Sequence, residues 1–348
     1  MRSIKKTQLL AVVAAFVLLL SGGGSWLMSK HFWASSDERA ERMGSMELSK
    51  EEYEQLKLEF LQLEDEQNPK IALAELRARI KTDDALLRSC HALVHEMGRA
   101  AYEKYHDFAH AMEYQDEVCN SGYLHGVIEG YFSKSADVFS AMQTVCNGYP
   151  PGKFVSRECY HGIGHGVMYY TSNDLPRSLL LCDSFESTFA RAACSNGVFM
   201  ENFNTDQKLH PSVFLKESDP LYPCGEQAIQ HKNDCYFYAL TYYLSLYRNE
   251  YVGALGWCNS AESPYQEICA QGVGSQVMKE NINNPKLAEK MCMQGKPSQA
   301  ASCVFGMVEL YIHHYGFLEP AKKLCNELEI NNRQTCHSSV EESSKLFN

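Results

Sequence analysis

The sequence lacks most of the signatures that would name a chemistry at once. It contains no C-x-x-C-H for haem attachment, no HExxH, although His95-Glu96 begins like one, no GxSxG and no P-loop. It has no Asn-x-Ser/Thr sequon, which fits a bacterial periplasm better than a eukaryotic secretory route. Positive charge is also short: 32 Lys and Arg stand against 43 Asp and Glu, a net charge of -11. With no basic stripe to displace phosphate counterions, nucleic acid is excluded as a partner. Long apolar runs are absent after the first 28 residues. No cysteine precedes Cys90, so lipidation beside the leading apolar run is excluded as well.

What is present begins with that run. Arg2, Lys5 and Lys6 precede an apolar stretch from Leu9 to Leu20, which continues through Ser21-Gly22-Gly23-Gly24-Ser25 to Trp26-Leu27-Met28. A positive flank and about 20 residues of span read as an uncleaved signal anchor over residues 1–30, with a cleaved signal peptide the alternative. The expectation is a single pass through the inner (cytoplasmic) membrane, with the C-terminal bulk periplasmic or extracellular. Residues 31–83 are strongly charged, with Leu56, Leu58, Phe60, Leu61 and Leu63 set among acidic residues, and Asn68-Pro69 marks a break. This segment reads as a helical stalk.

The remainder, residues 84–348, repeats one phrase. A cysteine closes an apolar run, ten to twelve residues intervene, and a second cysteine opens another run: Cys146/Cys159, Cys182/Cys194, Cys224/Cys235, Cys258/Cys269, Cys292/Cys303 and Cys325/Cys336. The second members are spaced by 35, 41, 34, 34 and 33 residues, the period of helical-hairpin solenoids. Apolar residues at three- and four-residue spacing make the elements helices. The predicted fold is all-α, a solenoid of about seven hairpins, each clamped at its turn by a disulfide. Fourteen cysteines, even in number and regular in spacing, fit an oxidising compartment. Cys90 and Cys119 each align with a second-helix cysteine and have no first-helix partner, so they are expected to pair with each other across adjacent units. Gly122, Gly162, Gly197, Gly272 and Gly306 recur three residues after the cysteine, where the second helix is expected to approach its neighbour closely.

This plan resembles the disulfide-linked α/α-hairpin repeats of the Sel1-like class over roughly residues 84 to 345, in period and disulfide logic. The gap between paired cysteines is longer here, and the Ala/Gly consensus of that class is imperfect. The resemblance implies a right-handed superhelix and a binding or scaffold role, and it carries no catalytic residue across.

The repeat leaves one feature unexplained. Three consecutive second helices carry Cys90-His91-Ala-Leu-Val-His95, His125-Gly-Val-Ile-Glu129 and His161-Gly-Ile-Gly-His165. Residues four apart share a helical face. Random placement of 13 histidines gives roughly 0.5 His-x-x-x-His pairs; three occur, counting His106/His110. His125 and His165 both lie six residues after their cysteines, where later units have Met200, Thr241, Ser275 and Glu309. A purely structural requirement would have repeated with the repeat. His91, His95, His125, His161 and His165 are therefore candidate ligands for a transition metal ion (zinc, copper or iron), and Glu129 is a candidate bridge or general base. Core histidines and a non-metal ligand site are the competing readings. His106 and His110 are expected at the surface, His313-His314 as structural, and the tyrosine runs at 169–170 and 236–243 as core. The functional expectation is a membrane-anchored extracytoplasmic metal-dependent enzyme, hydrolytic or oxidative, acting on an extracytoplasmic substrate. The alternatives are a protein-interaction scaffold and a metal storage or delivery protein.

Overall fold

The computed structural model describes residues 48–204, 212–247 and 250–347. The predicted anchor and the first part of the predicted stalk lie outside the described residues. No described helix is long and apolar enough to cross a membrane.

Every regular element among the described residues is helical. α1 (Lys50–Glu66) and α2 (Pro69–Arg79) form the first hairpin. Asn68 fixes its turn: its side chain accepts from the amide of Ile71, and Pro69 occupies the first helical turn, where a missing N–H is harmless. Of the expected stalk, this described part is not free-standing. Phe60, Leu73 and Leu76 are buried where α1 and α2 pack on α3 (Asp84–Tyr105), so the hairpin covers the end of the array. From Lys50 onward the chain is one compact unit.

The repeat then alternates short outer helices with long inner ones. The outer helices are α4 (Phe108–Met112), α6 (Val138–Thr144), α8 (Leu175–Asp183), α11 (Tyr251–Trp257), α13 (Pro285–Cys292) and α15 (Glu319–Glu327). The inner helices after α3 are α5 (Val118–Lys134), α7 (Phe154–Tyr170), α9 (Thr188–Asn204), α10 (Ile229–Leu246), α12 (Gln266–Glu280), α14 (Pro297–Tyr315) and α16 (Arg333–Ser344). Asp107, Asp137 and Asp174 cap the first three outer helices by accepting from the amides of His110, Ser140 and Arg177. Such caps stabilise by about 1 kcal/mol each and set where a five- to nine-residue helix starts.

All six hairpin disulfides form as the spacing predicts, and Cys90 pairs with Cys119 across neighbouring units. The inner helices meet in sequence, and glycine sets their closest approaches. A Cβ on Gly126 would lie 2.0 Å from the carbonyl oxygen of His95, and one on Gly197 2.0 Å from that of His161. Backbone contacts backbone at these crossings, which only glycine allows.

The inner wall also closes on itself. α12 returns to α3 and α14 to α5. The Phe154 amide donates to the Leu346 carbonyl (2.8 Å), the Phe154 and Phe347 rings stack at 4.9 Å, and Asn283 donates to Asp84 across 199 residues of sequence. An open superhelix is therefore not what forms. The inner helices surround a lumen, and the positions that the repeat register aligns, Met200, Thr241 and Ser275, all line it.

Candidate metal centre

α3, α5 and α7 carry a ladder of chemistry-bearing residues at four-residue spacing: His91, His95 and Arg99; then His125 and Glu129; then Arg157, His161 and His165. Of these, His91, Arg157 and His161 line the lumen. Gly122 and Gly162 make room for this ladder. A Cβ on Gly122 would lie 3.0 Å from the His95 ring, and one on Gly162 2.9 Å from the His125 ring. At these two positions the recurring glycine clears space for an imidazole, where the sequence pattern alone suggested only helix-to-helix approach.

His91, His95, His125 and His165 each place a ring nitrogen within 4.8 Å of the others. His95, His125 and His165 are almost fully buried. Three of the four are oriented from behind. His91 Nδ1 donates to the Cys119 carbonyl at 2.7 Å, His95 Nδ1 to Glu129 Oε1 at 2.8 Å, and His165 Nδ1 to Glu201 Oε2 at 2.8 Å. Carbonyl and carboxylate oxygens can only accept, so these bonds fix the Nδ1–H tautomer and turn each Nε2 inward. Outer partners of this kind orient metal-binding histidines.

The inward atoms then meet with nothing to separate them. His91 Nε2 lies 3.1 Å from His95 Nε2, and His165 Nε2 lies 3.2 Å from His161 Nε2. At the first contact both Nδ1 atoms are committed, so two neutral rings oppose lone pairs and only a cation, a proton or a metal ion, resolves it. At the second, His161 Nδ1 is unpartnered and its Nε2–H can donate to His165 Nε2. Burial and the neighbouring histidines push His91, His125 and His161 well below the ordinary histidine range, which makes the proton the poorer resolution at those three rings. Metal–nitrogen bonds of about 2.0–2.1 Å place adjacent ligands about 2.9 Å apart in an octahedral set and about 3.3 Å apart in a tetrahedral one. The His91–His95 separation falls in that interval.

His125 differs from the other three. It is 1% exposed, yet neither ring nitrogen has a hydrogen-bond partner. A buried polar atom left without a partner costs about 1–3 kcal/mol, so this side chain is destabilised as it stands. The donor set is four imidazoles with one orphan among them, and the buried His/Glu group has the spacing to hold a metal ion.

His161 stands beside the group, with Nδ1 unpartnered. Glu129 has both oxygens engaged, one by His95 and the other by Arg99. Burial works against its charge, but His95 and Arg99 hold its pKa at about 2. A carboxylate that acidic is a weak base, and the geometry sets it behind His95. Glu201, the partner of His165, escaped the sequence reading. It lies one residue beyond the repeat position of Met200, so no pattern marked it.

Elsewhere, His106 and His110 are exposed as expected, and His110 stacks on Tyr105. Tyr169 and Tyr170 are 42% exposed and lie beside Arg99 and Arg177, in place of the expected core position. His313, expected as structural, lines the lumen with its Nε2 unpartnered. His231 links Ser195 Oγ (3.0 Å) and Asp183 (3.1 Å), a clasp between units in which Ser195 is 1% exposed and so out of reach of any substrate.

No family model, curated protein or solved structure matches this chain.

Proposed function

We propose that this chain is a membrane-anchored, extracytoplasmic metal-dependent enzyme, hydrolytic or oxidative, whose metal is held by His91, His95, His125 and His165. The observation that carries the reading is the inward His91–His95 Nε2 contact, at 3.1 Å, between rings whose Nδ1 atoms are already committed, beside the buried and unpartnered His125. A bound metal would supply Lewis acidity, an activated water or a redox couple. The chain's own contribution is positional. Cys119, Glu129 and Glu201 hold three imidazoles in one tautomer, Arg99 holds Glu129, and the closed wall limits solvent. Glu129 is on this reading a positioning residue. Three anchored histidines and one unanchored, His125, match a centre that can release a fourth position to water, as catalytic sites require.

A second reading is favoured by the count of four. A complete four-imidazole set leaves no open position and suits storage or delivery. The scaffold role implied by the Sel1-like resemblance has less support, because closure of the inner wall removes the extended concave surface it would use.

The test is elemental analysis of the oxidised full chain, purified without a His-tag from its own compartment. About one equivalent of metal, lost in His125→Ala/His165→Ala while all seven disulfides remain, is expected. No metal after reconstitution with zinc, copper or iron would sink the proposal. X-ray absorption separates the two readings: three nitrogen ligands plus an exogenous oxygen means catalysis, and four nitrogens alone means storage.

A further inference from the structure

Below the histidines the lumen continues into a cavity of about 210 Å³ lined from α7, α9, α10, α12 and α14. Its walls are charged and built. Asn196 is the organiser: its Oδ1 accepts from Arg157 (3.2 Å) and from the Tyr238 hydroxyl (3.0 Å), and its Nδ2 donates to Asp234 (2.9 Å). Arg157 also donates to Glu158. A smaller space of about 70 Å³ joins this region to His91 and His161, with Lys279 and Asn120 in its lining. The cavity is therefore contiguous with the proposed metal centre.

The pattern of what is satisfied and what is not tells which ligand fits. Two cations, Arg157 and Lys279, face three carboxylates, Glu158, Asp234 and Glu309, a balance of one negative charge. Arg157 is bonded on two nitrogens. Glu309 faces Arg157 only across space, with no hydrogen bond among the described residues, and Glu342 adds further negative charge nearby. Burial accordingly pushes the Glu309, Glu158 and Asp234 carboxyls up. One more atom on the walls of the larger cavity has no partner, His313 Nε2. A neutral imidazole nitrogen can accept, as a carboxylate does, so the unmet demand here is for a donor that carries positive charge.

We propose that this chamber binds a small primary ammonium group, accepted by Glu309 and by the unpartnered Nε2 of His313. The inference deepens the proposed function by naming the substrate class of the metal centre, and it rests on that reading only for the link to chemistry.

The experiment is titration calorimetry of ethylammonium into the full chain, metal-free and zinc-loaded, with tetramethylammonium, acetate and Nα-acetyl-lysine methylamide as further probes. Binding of ethylammonium at one equivalent is expected, weakened at least tenfold in Glu309→Gln and unchanged in Glu319→Gln on the exposed face of α15. Tetramethylammonium has the charge without a donor and is expected not to bind. Binding of the lysine derivative as well would identify a protein side chain as the source of the amine, and its exclusion a free small amine. Absence of ethylammonium binding, equal binding of tetramethylammonium, or no change in Glu309→Gln with its fold intact would overturn the proposal. Because the metal-free arm is measured separately, a failed metal centre and a failed ammonium site give different results.

Discussion

The early and late halves of the inner wall share one helical plan and differ in chemistry. α3, α5 and α7 carry the clustered imidazoles, with His91 and His161 lining the lumen, whereas α9, α10, α12 and α14 have Met200, Thr241, Ser275 and Glu309 at the matching register. Both halves carry a buried disulfide at each unit, and both use glycine where helices cross. The repeat therefore specifies where a residue points and leaves open what it does there. In one half that freedom has been used to crowd neutral donors together, and in the other to gather carboxylates around one guanidinium.

The disulfides offer the strongest way to break this comparison. Cys90–Cys119 closes 29 residues and Cys325–Cys336 closes 11. Chain-entropy arguments give contributions of about 4 and about 3 kcal/mol, so the stabilities are similar. The consequences for the site are not. Cys119 carries the carbonyl that orients His91, while Cys336 is at the far end of the chain. Cys90→Ser/Cys119→Ser should lose both melting temperature and metal affinity. Cys325→Ser/Cys336→Ser should lose melting temperature alone. Equal effects on affinity would mean that metal binding reports global stability and nothing local.

A smaller effect separates the two carboxylates behind the histidines. Glu129 is 3% exposed at its side chain and doubly bonded; Glu201 is 29% exposed and holds only His165. Loss of an outer partner typically lowers metal affinity 10–100-fold. Glu129→Gln is expected toward the upper end, since it also leaves Arg99 without its buried partner, and Glu201→Gln toward the lower end. Competition with a chromophoric chelator measures both. The pH dependence has a definite sign. His91, His125 and His161 stay neutral in the fold below the ordinary histidine range, while the unfolded chain takes up protons near pH 6.5. The stability they allow is thus present above about pH 6.5 and falls as the solution is acidified. A metal-free protein equally stable at pH 5 and pH 7 would contradict this.

Much of this was legible in the sequence because disulfide spacing and helical period are local signals. The period marked the hairpins, and Cys90 and Cys119, which lack first-helix partners, were expected to pair with each other and do. The register of His125 and His165 relative to their cysteines placed them on one wall. Closure of that wall was not legible. It depends on the small rotation between successive units, summed until α12 meets α3, and no single residue encodes it. For the same reason His313 looked like an outlying structural histidine and the carboxylate chamber was invisible, since Arg157 and Glu309 become neighbours only once the wall has closed. Glu201 was missed because it lies one residue away from the repeat position. The docking of α1 and α2 was misjudged because charge density outweighed Phe60 and Leu73 in the reading of the segment.

That docking supplies the test with the smallest effect on the metal centre, and it sets a buried acid on α1 against Glu129 behind His95. Glu64 on α1 is 2% exposed, as buried as Glu129, but neither of its carboxyl oxygens has a hydrogen-bond partner. The ammonium of Lys104 bonds instead to the backbone carbonyls of Glu64 and Asp65. Burial pushes the Glu64 pKa up to about 8, whereas the same burial at Glu129 is overcome by His95 and Arg99. Because the folded pKa is raised, the protonated carboxyl is compatible with docking below about pH 4.5. Stability is then lost progressively as pH rises toward 8, where the folded state also ionises. Glu64→Gln cannot ionise, so its melting temperature should match the parent at pH 4 and exceed it by on the order of 10 °C at pH 8, given about 1.4 kcal/mol per pKa unit and about 2–4 °C per kcal/mol. The gain should leave metal content untouched, because α1 contributes nothing to the histidine group. A difference in melting temperature that does not change with pH would show that Glu64 ionises in the folded protein as it does in water.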